Sequence, residues 1–189
     1  MLRIIAGKHK NRIIPKVKNA KCRPSTSKFK EAVFSILTSG EFIENDLFSG
    51  DAHVLDLFSG TGGYGFEAIS RGVKSATLID INSDCIKLAQ GFAELIGEKD
   101  NINFLHLNAL SLPKSNRTYN LVFIDPPYHN NFVTKAIDSL IKGSWVSSGT
   151  LIVAELGQKD DISLQDNMFL LKQKTYGNSK LLILKYGQT

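Results

Sequence analysis

The chain has 189 residues, 42% hydrophobic and 22% charged, with a formal net charge of +5, a length that suits one domain with its own core and a small appendage. No uninterrupted apolar run approaches the roughly 20 residues of a membrane span, and the opening Met-Leu-Arg-Ile-Ile-Ala-Gly-Lys lacks the apolar segment of a signal peptide. Cys22 and Cys85 match no metal or disulfide spacing, so a membrane protein, a secreted disulfide scaffold and a zinc module are disfavoured and a cytoplasmic protein without a bound metal is expected.

The charge is unevenly spread. Residues 1–30 contain ten Lys or Arg and no acid, whereas the remainder holds 13 basic and all 18 acidic residues, a net of −5. A basic arm on a slightly acidic body points to a polyanionic partner, because neutralising phosphates releases counterions. A solvated cationic tail is the plainer alternative. Within the arm, Leu2, Ile4 and Ala6 interleave with Arg3 and Ile5, and Arg12-Ile13-Ile14 resumes after Gly7-Lys8. The pattern predicts a short basic hairpin with Gly7 to Asn11 at its bend, in a flap spanning residues 1–22 ahead of a main domain over 23–189.

Arg23-Pro24-Ser25-Thr26-Ser27 is a break, and Thr26 or Ser27 can cap a helix after it. Phe29, Ala32, Val33, Ile36 and Leu37 then fall on one apolar face. Lys28 and Lys30 lie off that stripe, placed to reach phosphates or to stay solvated. Ser39 to Asp51 reads as loop.

Val54 to Phe58 is a strand that runs into Ser59-Gly60-Thr61-Gly62-Gly63-Tyr64-Gly65, and the pattern becomes helical from about Phe66 to Arg71. Strand, glycine turn and helix N-terminus in that order make a place for a nucleotide-like cofactor, with backbone N–H groups facing it. Gly60, Gly62 and Gly65 also fit dinucleotide spacing. Asp56 favours S-adenosylmethionine (SAM), since a carboxylate sits poorly beside a pyrophosphate and well beside a cationic amine. A dinucleotide or a purely structural turn remains open.

Strand and helix then alternate: a strand at 75–79 ending at Asp80, a helix at 83–96, strands at 103–107 and 120–124, a helix at 131–141 and a strand at 150–154. Such alternation predicts a mostly parallel sheet of Rossmann-like α/β type with helices on both faces. Residues 169–175 and 180–185 flank Tyr176-Gly177-Asn178, an antiparallel hairpin at one sheet edge. Trp145 is a packing residue on this reading. His9, His53, His106 and His129 are scattered without metal-ligand spacing, and no G-x-S-x-G elbow is present.

In open α/β sheets ligands sit beyond the carboxyl ends of the strands. Asp80, about 20 residues past Gly60, has the spacing of a carboxylate that takes ribose hydroxyls; capping the next helix is its structural alternative. Asn108 follows the third strand, where its amide reaches an adenine edge or simply makes a turn. The fourth strand runs into Asp125-Pro126-Pro127-Tyr128. Two prolines remove N–H donors and leave carbonyl acceptors. A carboxylate, a rigid carbonyl and an aromatic face together suit a nucleobase amine, whose hydrogens Asp125 and Pro126 would accept while Tyr128 stacks on the base.

These residues carry a family likeness. The chain resembles the bacterial RsmD family, SAM-dependent methyltransferases of 16S ribosomal RNA that modify a guanine at N2. The likeness includes Arg3-Ile-Ile-Ala-Gly7, Arg23-Pro24, Glu31-Ala-Val-Phe34-Ser-Ile-Leu37, Asp56-Leu-Phe-Ser-Gly-Thr-Gly62, Gly65-Phe-Glu67-Ala-Ile-Ser-Arg-Gly72, Asp125-Pro-Pro-Tyr128 and the Tyr176-Gly177 hairpin. The resemblance implies cofactor contacts at Asp56, Phe58, Gly60, Gly62, Asp80, Ile81, Asn108, Ala109 and Thr26. It implies catalysis at Asp125, Pro126, Pro127 and Tyr128, and RNA contacts from Arg3, Lys8, Lys10, Arg12 and Arg23. The implied partner is ribosomal RNA or a small-subunit assembly particle, met by a monomer. Asn108 stands where many relatives have Asp, and Ser25 where Thr is common. Competing readings are an adenine-N6 DNA methyltransferase, a dinucleotide-dependent oxidoreductase and a non-catalytic RNA-binding or ribosome-assembly factor.

Overall fold

The computed structural model describes residues 2–17, 27–39, 42, 47–48, 50–127 and 131–187. A seven-stranded sheet forms its centre, with β1 (His53–Leu57), β2 (Ser75–Asp80), β3 (Ile102–His106), β4 (Leu121–Ile124), β5 (Leu151–Gly157), β6 (Met168–Tyr176) and β7 (Ser179–Tyr186). The strand order is β3-β2-β1-β4-β5-β7-β6. The first five strands are parallel, and β7 pairs antiparallel with both β5 and β6. The expected hairpin therefore enters with its second strand inside and its first at the rim. Gly177-Asn178 forms the two-residue connection, with Tyr176 opposite Ser179.

Side chains alternate between two apolar clusters, as the pleat requires. Val54, Leu78, Phe123, Val153 and Ile183 join one, together with the hairpin, α1 (Ser27–Leu37), α2 (Gly63–Arg71) and α3 (Ser83–Leu95). Leu55, Leu57, Ile79, Val122, Ile124, Ile152, Leu182 and Leu184 join the other, under α4 (Phe132–Lys142). Burial on both faces explains why β4 reads as a continuous apolar run. Helix α2 begins at Gly63, a turn earlier than its apolar pattern indicates, and ends at Gly72, whose N–H reaches the Ala68 and Ile69 carbonyls. Among the described residues no helix is long and apolar enough to cross a membrane.

The N-terminal segment is a docked hairpin. Arg3 and Ile13 form an antiparallel bridge, and Ile4 and Ile14 are fully buried in the cluster shared with α1 and α2. Glu67 of α2, itself fully buried, accepts the Ile5 and Ala6 N–H groups at 2.7 and 3.1 Å. Ser70 Oγ donates to the Ala6 carbonyl and accepts from the His9 N–H. The bend passes so close to α2 that a Cβ on Gly7 would stand 1.8 Å from the Ser70 carbonyl oxygen. Residues 18–26, where the flap was expected to meet the main domain, lie outside the described residues.

Lys30 departs from the expectation of a solvated or phosphate-reaching lysine. It is 1% exposed and donates to the Arg3 carbonyl at 2.9 Å and the Gly63 carbonyl at 3.3 Å, beside Glu67 at 3.3 Å. The apolar face of α1 is wider than the five-residue stripe: Phe34 is fully buried as well, and Lys30 lies one turn before it. Burial lowers the Lys30 pKa against the pull of Glu67.

A candidate cofactor and amine site at the switch point

Strand order reverses between the parallel neighbours β1 and β4: β2 and β3 add on one side of the pair and β5 on the other. A crevice opens at such a switch point, beyond the carboxyl ends. The glycine loop leaves β1 there, and Asp125-Pro126-Pro127 leaves β4 beside it, since Leu57 and Ile124 are in register. Continuing the register one residue puts Asp80, Phe58, Asp125 and Glu155 in one row across the edge, with Asp80 opposite His106 and Glu155 opposite Leu181. Two motifs some 65 residues apart in sequence thus become neighbours.

Carboxylates hold the glycine loop from below. Asp56 is 1% exposed, and its Oδ2 accepts the Gly65 N–H at 2.9 Å. Burial pushes its pKa up to about 7, with the Gly65 N–H working the other way and the neighbouring Asp80 charge adding to the rise. Asp80 Oδ2 accepts the Gly60 N–H at 2.7 Å, and its Oδ1 accepts the Asn82 N–H at 2.8 Å. The cap of α3 is Asn82, which accepts from the Asp84 and Cys85 N–H groups. Asp80 is therefore a loop-holding group at the strand end, and its capping alternative falls to Asn82.

The loop fits a nucleoside-type cofactor on two observations. Gly60 has φ +53 and a Cβ there would meet nothing within 4 Å, so this side of the loop is open. Ser59 Oγ is buried without a hydrogen-bond partner among the described residues. A buried orphan hydroxyl in a ligand loop calls for a ligand or water to satisfy it. Next to the loop, Ile81 is 67% exposed, an apolar side chain at the mouth just after Asp80. Asn108 Oδ1 accepts the Leu110 N–H at 2.9 Å, so its oxygen makes the turn after β3; Ala109 beside it is buried. Phe58, in the left-handed region at φ 56, stacks on Phe132 with centroids 6.3 Å apart.

On the amine side, Asp125 is half-buried, Pro126 buried and Pro127 exposed. A cavity of about 280 Å³ opens against the two prolines, lined also by Asn131, Phe132, Glu155 and Leu156. Glu155, 5% exposed, was not singled out from the sequence, because one acid at a strand end carries no spacing signal. Tyr128, Thr26 and Arg23 lie outside the described residues.

The basic residues of the hairpin divide. Arg3, Lys8, Lys10 and Arg12 are all exposed, but Lys8 Nζ also lies 2.7 Å from Glu98, which His9 Nε2 meets at 2.5 Å. Against the upward push of burial, bonds from Lys8, His9 and Asn101 hold the Glu98 carboxyl below its ordinary range.

A mostly parallel sheet ending in an antiparallel hairpin, with a glycine loop and an acid-proline-proline element across one switch point, defines the Rossmann-like methyltransferase class. The family model described as conserved hypothetical protein 95 matches residues 2–185. An uncharacterized methylase of Rickettsia prowazekii is 42% identical over 99% of this chain and 98% of its own. The ribosomal RNA small subunit methyltransferase D of Haemophilus influenzae is 30% identical over 93% of this chain and 89% of its own. Among solved structures, a candidate methyltransferase of Escherichia coli, yhhF, superposes with a TM-score of 0.84 at 25% identity, covering 99% of this chain and 98% of that one. The chain belongs to the RsmD family of methyltransferases.

Proposed function

We propose that this protein transfers a methyl group from SAM to the exocyclic N2 amine of a guanine in small-subunit (16S) ribosomal RNA. The observation that carries the reading is the pairing, at one switch point, of an open glycine loop with the Asp125-Pro126-Pro127 element. Relatives named ribosomal RNA small subunit methyltransferase D support RNA as the substrate. S-adenosylmethionine is the methyl donor and supplies, when bound, a methyl group on a positively charged sulfur.

The chain's own residues bind, orient and shield. Gly60 presents the open side of the loop, Gly62, packed against Leu78 and Phe66, lets the loop turn tightly into α2, and Asp80 would take ribose hydroxyls with the lone pairs that its two backbone bonds leave over. Ile81, Phe58, Asn108 and Ala109 would hold the adenine, with Thr26 as a further cofactor contact. Asp56 supplies negative charge under the loop for the cofactor's ammonium group.

An aromatic amine is a poor nucleophile because its lone pair is delocalised into the ring. The Asp125 carboxylate and the Pro126 carbonyl each accept one N–H, which draws the nitrogen toward tetrahedral geometry and turns its lone pair outward. Asp125 holds the proton that the amine gives up. Pro126 and Pro127 have no N–H to compete for these acceptors. Tyr128 stacks on a base taken out of its helix. Positioning and local electrostatics then carry most of the rate, since the leaving group is already activated. The N-terminal hairpin grips RNA through Arg3, Lys8, Lys10 and Arg12, with Arg23 adding a further cationic contact.

Methyl transfer from labelled SAM to naked ribosomal RNA, small-subunit particles and DNA, followed by nucleoside analysis, tests this reading. The label is expected in N2-methylguanosine from RNA or particles. Label in N6-methyladenosine, or in DNA alone, refutes it.

A further inference from the structure

We propose that the β6–β7 hairpin carries a second RNA-backbone surface, centred on Lys172 and Lys174, which works alongside the N-terminal hairpin. The inference rests on RNA being the substrate, as proposed above, and adds where a second stretch of the strand is held. Charge segregation is the first observation. Residues 167–189 hold four lysines and no acid, just as residues 1–30 hold ten basic residues and no acid. The stretch between them, 31–166, holds nine basic and 18 acidic residues, a net of −9. The excess cations are thus gathered at the two ends of the chain, on a body that repels phosphate.

The fold brings both ends to one face of the sheet. Residues paired across neighbouring strands share a side. Lys172 stands opposite Ile183 and Lys174 opposite Leu181, and both partners belong to the cluster that holds α1 and the N-terminal hairpin. On that side Lys172 Nζ stands 6.0 Å from the Phe42 ring centroid. Tyr176, two residues past Lys174, meets Phe29 edge-on at 5.6 Å. Helix α1 joins the two ends through consecutive residues: Phe29 touches β6, and Lys30 bonds the Arg3 carbonyl.

Register sets the distance from the chemistry. The row that continues from β4 into Asp125 passes Glu155 and Leu181 and ends on Lys174 at the sheet rim. Three strand spacings separate Asp125 from Lys174, about 14 Å. That span suits backbone flanking a base held at Asp125. Lys174 is exposed and has no carboxylate partner among the described residues. Lysines on an edge strand also deter pairing with other chains. Acids serve that role equally well, so it does not explain why residues 167–189 contain none. A polyanionic ligand does.

The test measures binding of the full-length protein to protein-free small-subunit ribosomal RNA across a salt series. Lys172→Gln with Lys174→Gln is expected to lower the slope of log affinity against log salt by about 1.4–1.8. Lys135→Gln with Lys142→Gln removes the same charge from exposed positions on α4, across the sheet, and is expected to leave the slope within about 0.5 of wild type. An unaltered slope in the β6 pair, or an equal loss in the α4 pair, overturns the inference. Aggregation of the β6 pair with an unaltered RNA slope also overturns it, by assigning the lysines to edge protection alone. If the double variant does not fold, Lys174→Gln alone decides, with about half the shift expected and no shift refuting. Methyl transfer run in parallel separates the two readings. N2-methylguanosine with an unaltered slope defeats only this surface, whereas a lowered slope without N2-methylguanosine defeats the guanine reading and supports the surface.

Discussion

Two regions of the molecule grip backbone N–H groups with buried carboxylates, and they differ in how completely their polar atoms are matched. At the hairpin dock, Glu67 meets Ile5, Ala6, Arg71 and Lys30, and Lys30 in turn closes on the Arg3 and Gly63 carbonyls. At the carboxyl edge, Asp56 and Asp80 hold the glycine loop, yet Ser59 Oγ is left without a partner among the described residues and the space beside Gly60 is open. A closed polar network rigidifies; an incomplete one at a strand edge marks where a ligand belongs. The same device therefore builds architecture in one place and a binding site in the other.

Breaking the closed network should have the largest effect. Glu67→Ala leaves Lys30 buried without its carboxylate and removes the acceptor of two hairpin N–H groups, at a cost of about 3–5 kcal/mol. Urea unfolding measures this, and a loss under about 1 kcal/mol would mean that the dock is not a cooperative unit. The open region should instead show its loss in rate. Asp125→Ala is expected to reduce turnover at least ~100-fold while cofactor affinity stays; unchanged turnover in single-turnover assays refutes the role of Asp125.

Gly7→Ala sharpens the contrast from the hairpin side. Its Cβ would collide with the Ser70 backbone at φ +80, a strain of about 1–3 kcal/mol. RNA affinity should fall while SAM affinity does not, and equal loss of both would mean that dock and loop act as one.

Asp56 gives a pH signature. Its folded pKa, about 7, lies above the ordinary 3.8, so its neutral form contributes stability that is full below about pH 4 and is lost as pH rises through about 7. A cationic amine above it favours the ionised form, so SAM should bind more tightly as pH rises through the same window. Asp56→Asn should flatten both trends, as read by thermal shift and calorimetry. A retained slope assigns them to another group.

The smallest effects are expected at the exposed cations. Replacing Lys10 and Arg12 should lower the salt dependence of RNA binding by a slope of about 1.4–1.8. Lys8, held by Glu98, should contribute less than either. A Lys8→Ala effect equal to theirs would show that RNA displaces Glu98.

The mostly parallel sheet, its antiparallel edge hairpin and the two motifs beyond its strands were legible because each rests on local chemistry: glycines where a loop turns, prolines where donors must vanish, alternation of strand and helix where a parallel sheet is buried. The Lys30–Glu67 pair was not legible as a pair, although Glu67 sits in a family motif. Its members lie 37 residues apart, and only the tertiary fold brings α1 over α2. The pairing of Phe34 with Lys30 one turn earlier was the available hint, since a lysine on a buried face needs an acid. The place of Glu155 beside Asp125 was silent for a similar reason: it comes from the register with β4. The docking of the hairpin depends on Glu67 and Ser70 accepting its backbone, which alternation within residues 2–14 could not reveal.

The most direct test is a crystal structure of the protein with S-adenosylhomocysteine, the donor without its methyl group. The account predicts its ribose on Asp80, its chain over Gly60, and its sulfur turned toward the Asp125-Pro126 backbone across the switch point. A cofactor seated elsewhere, or with its sulfur turned away from Asp125, would contradict it.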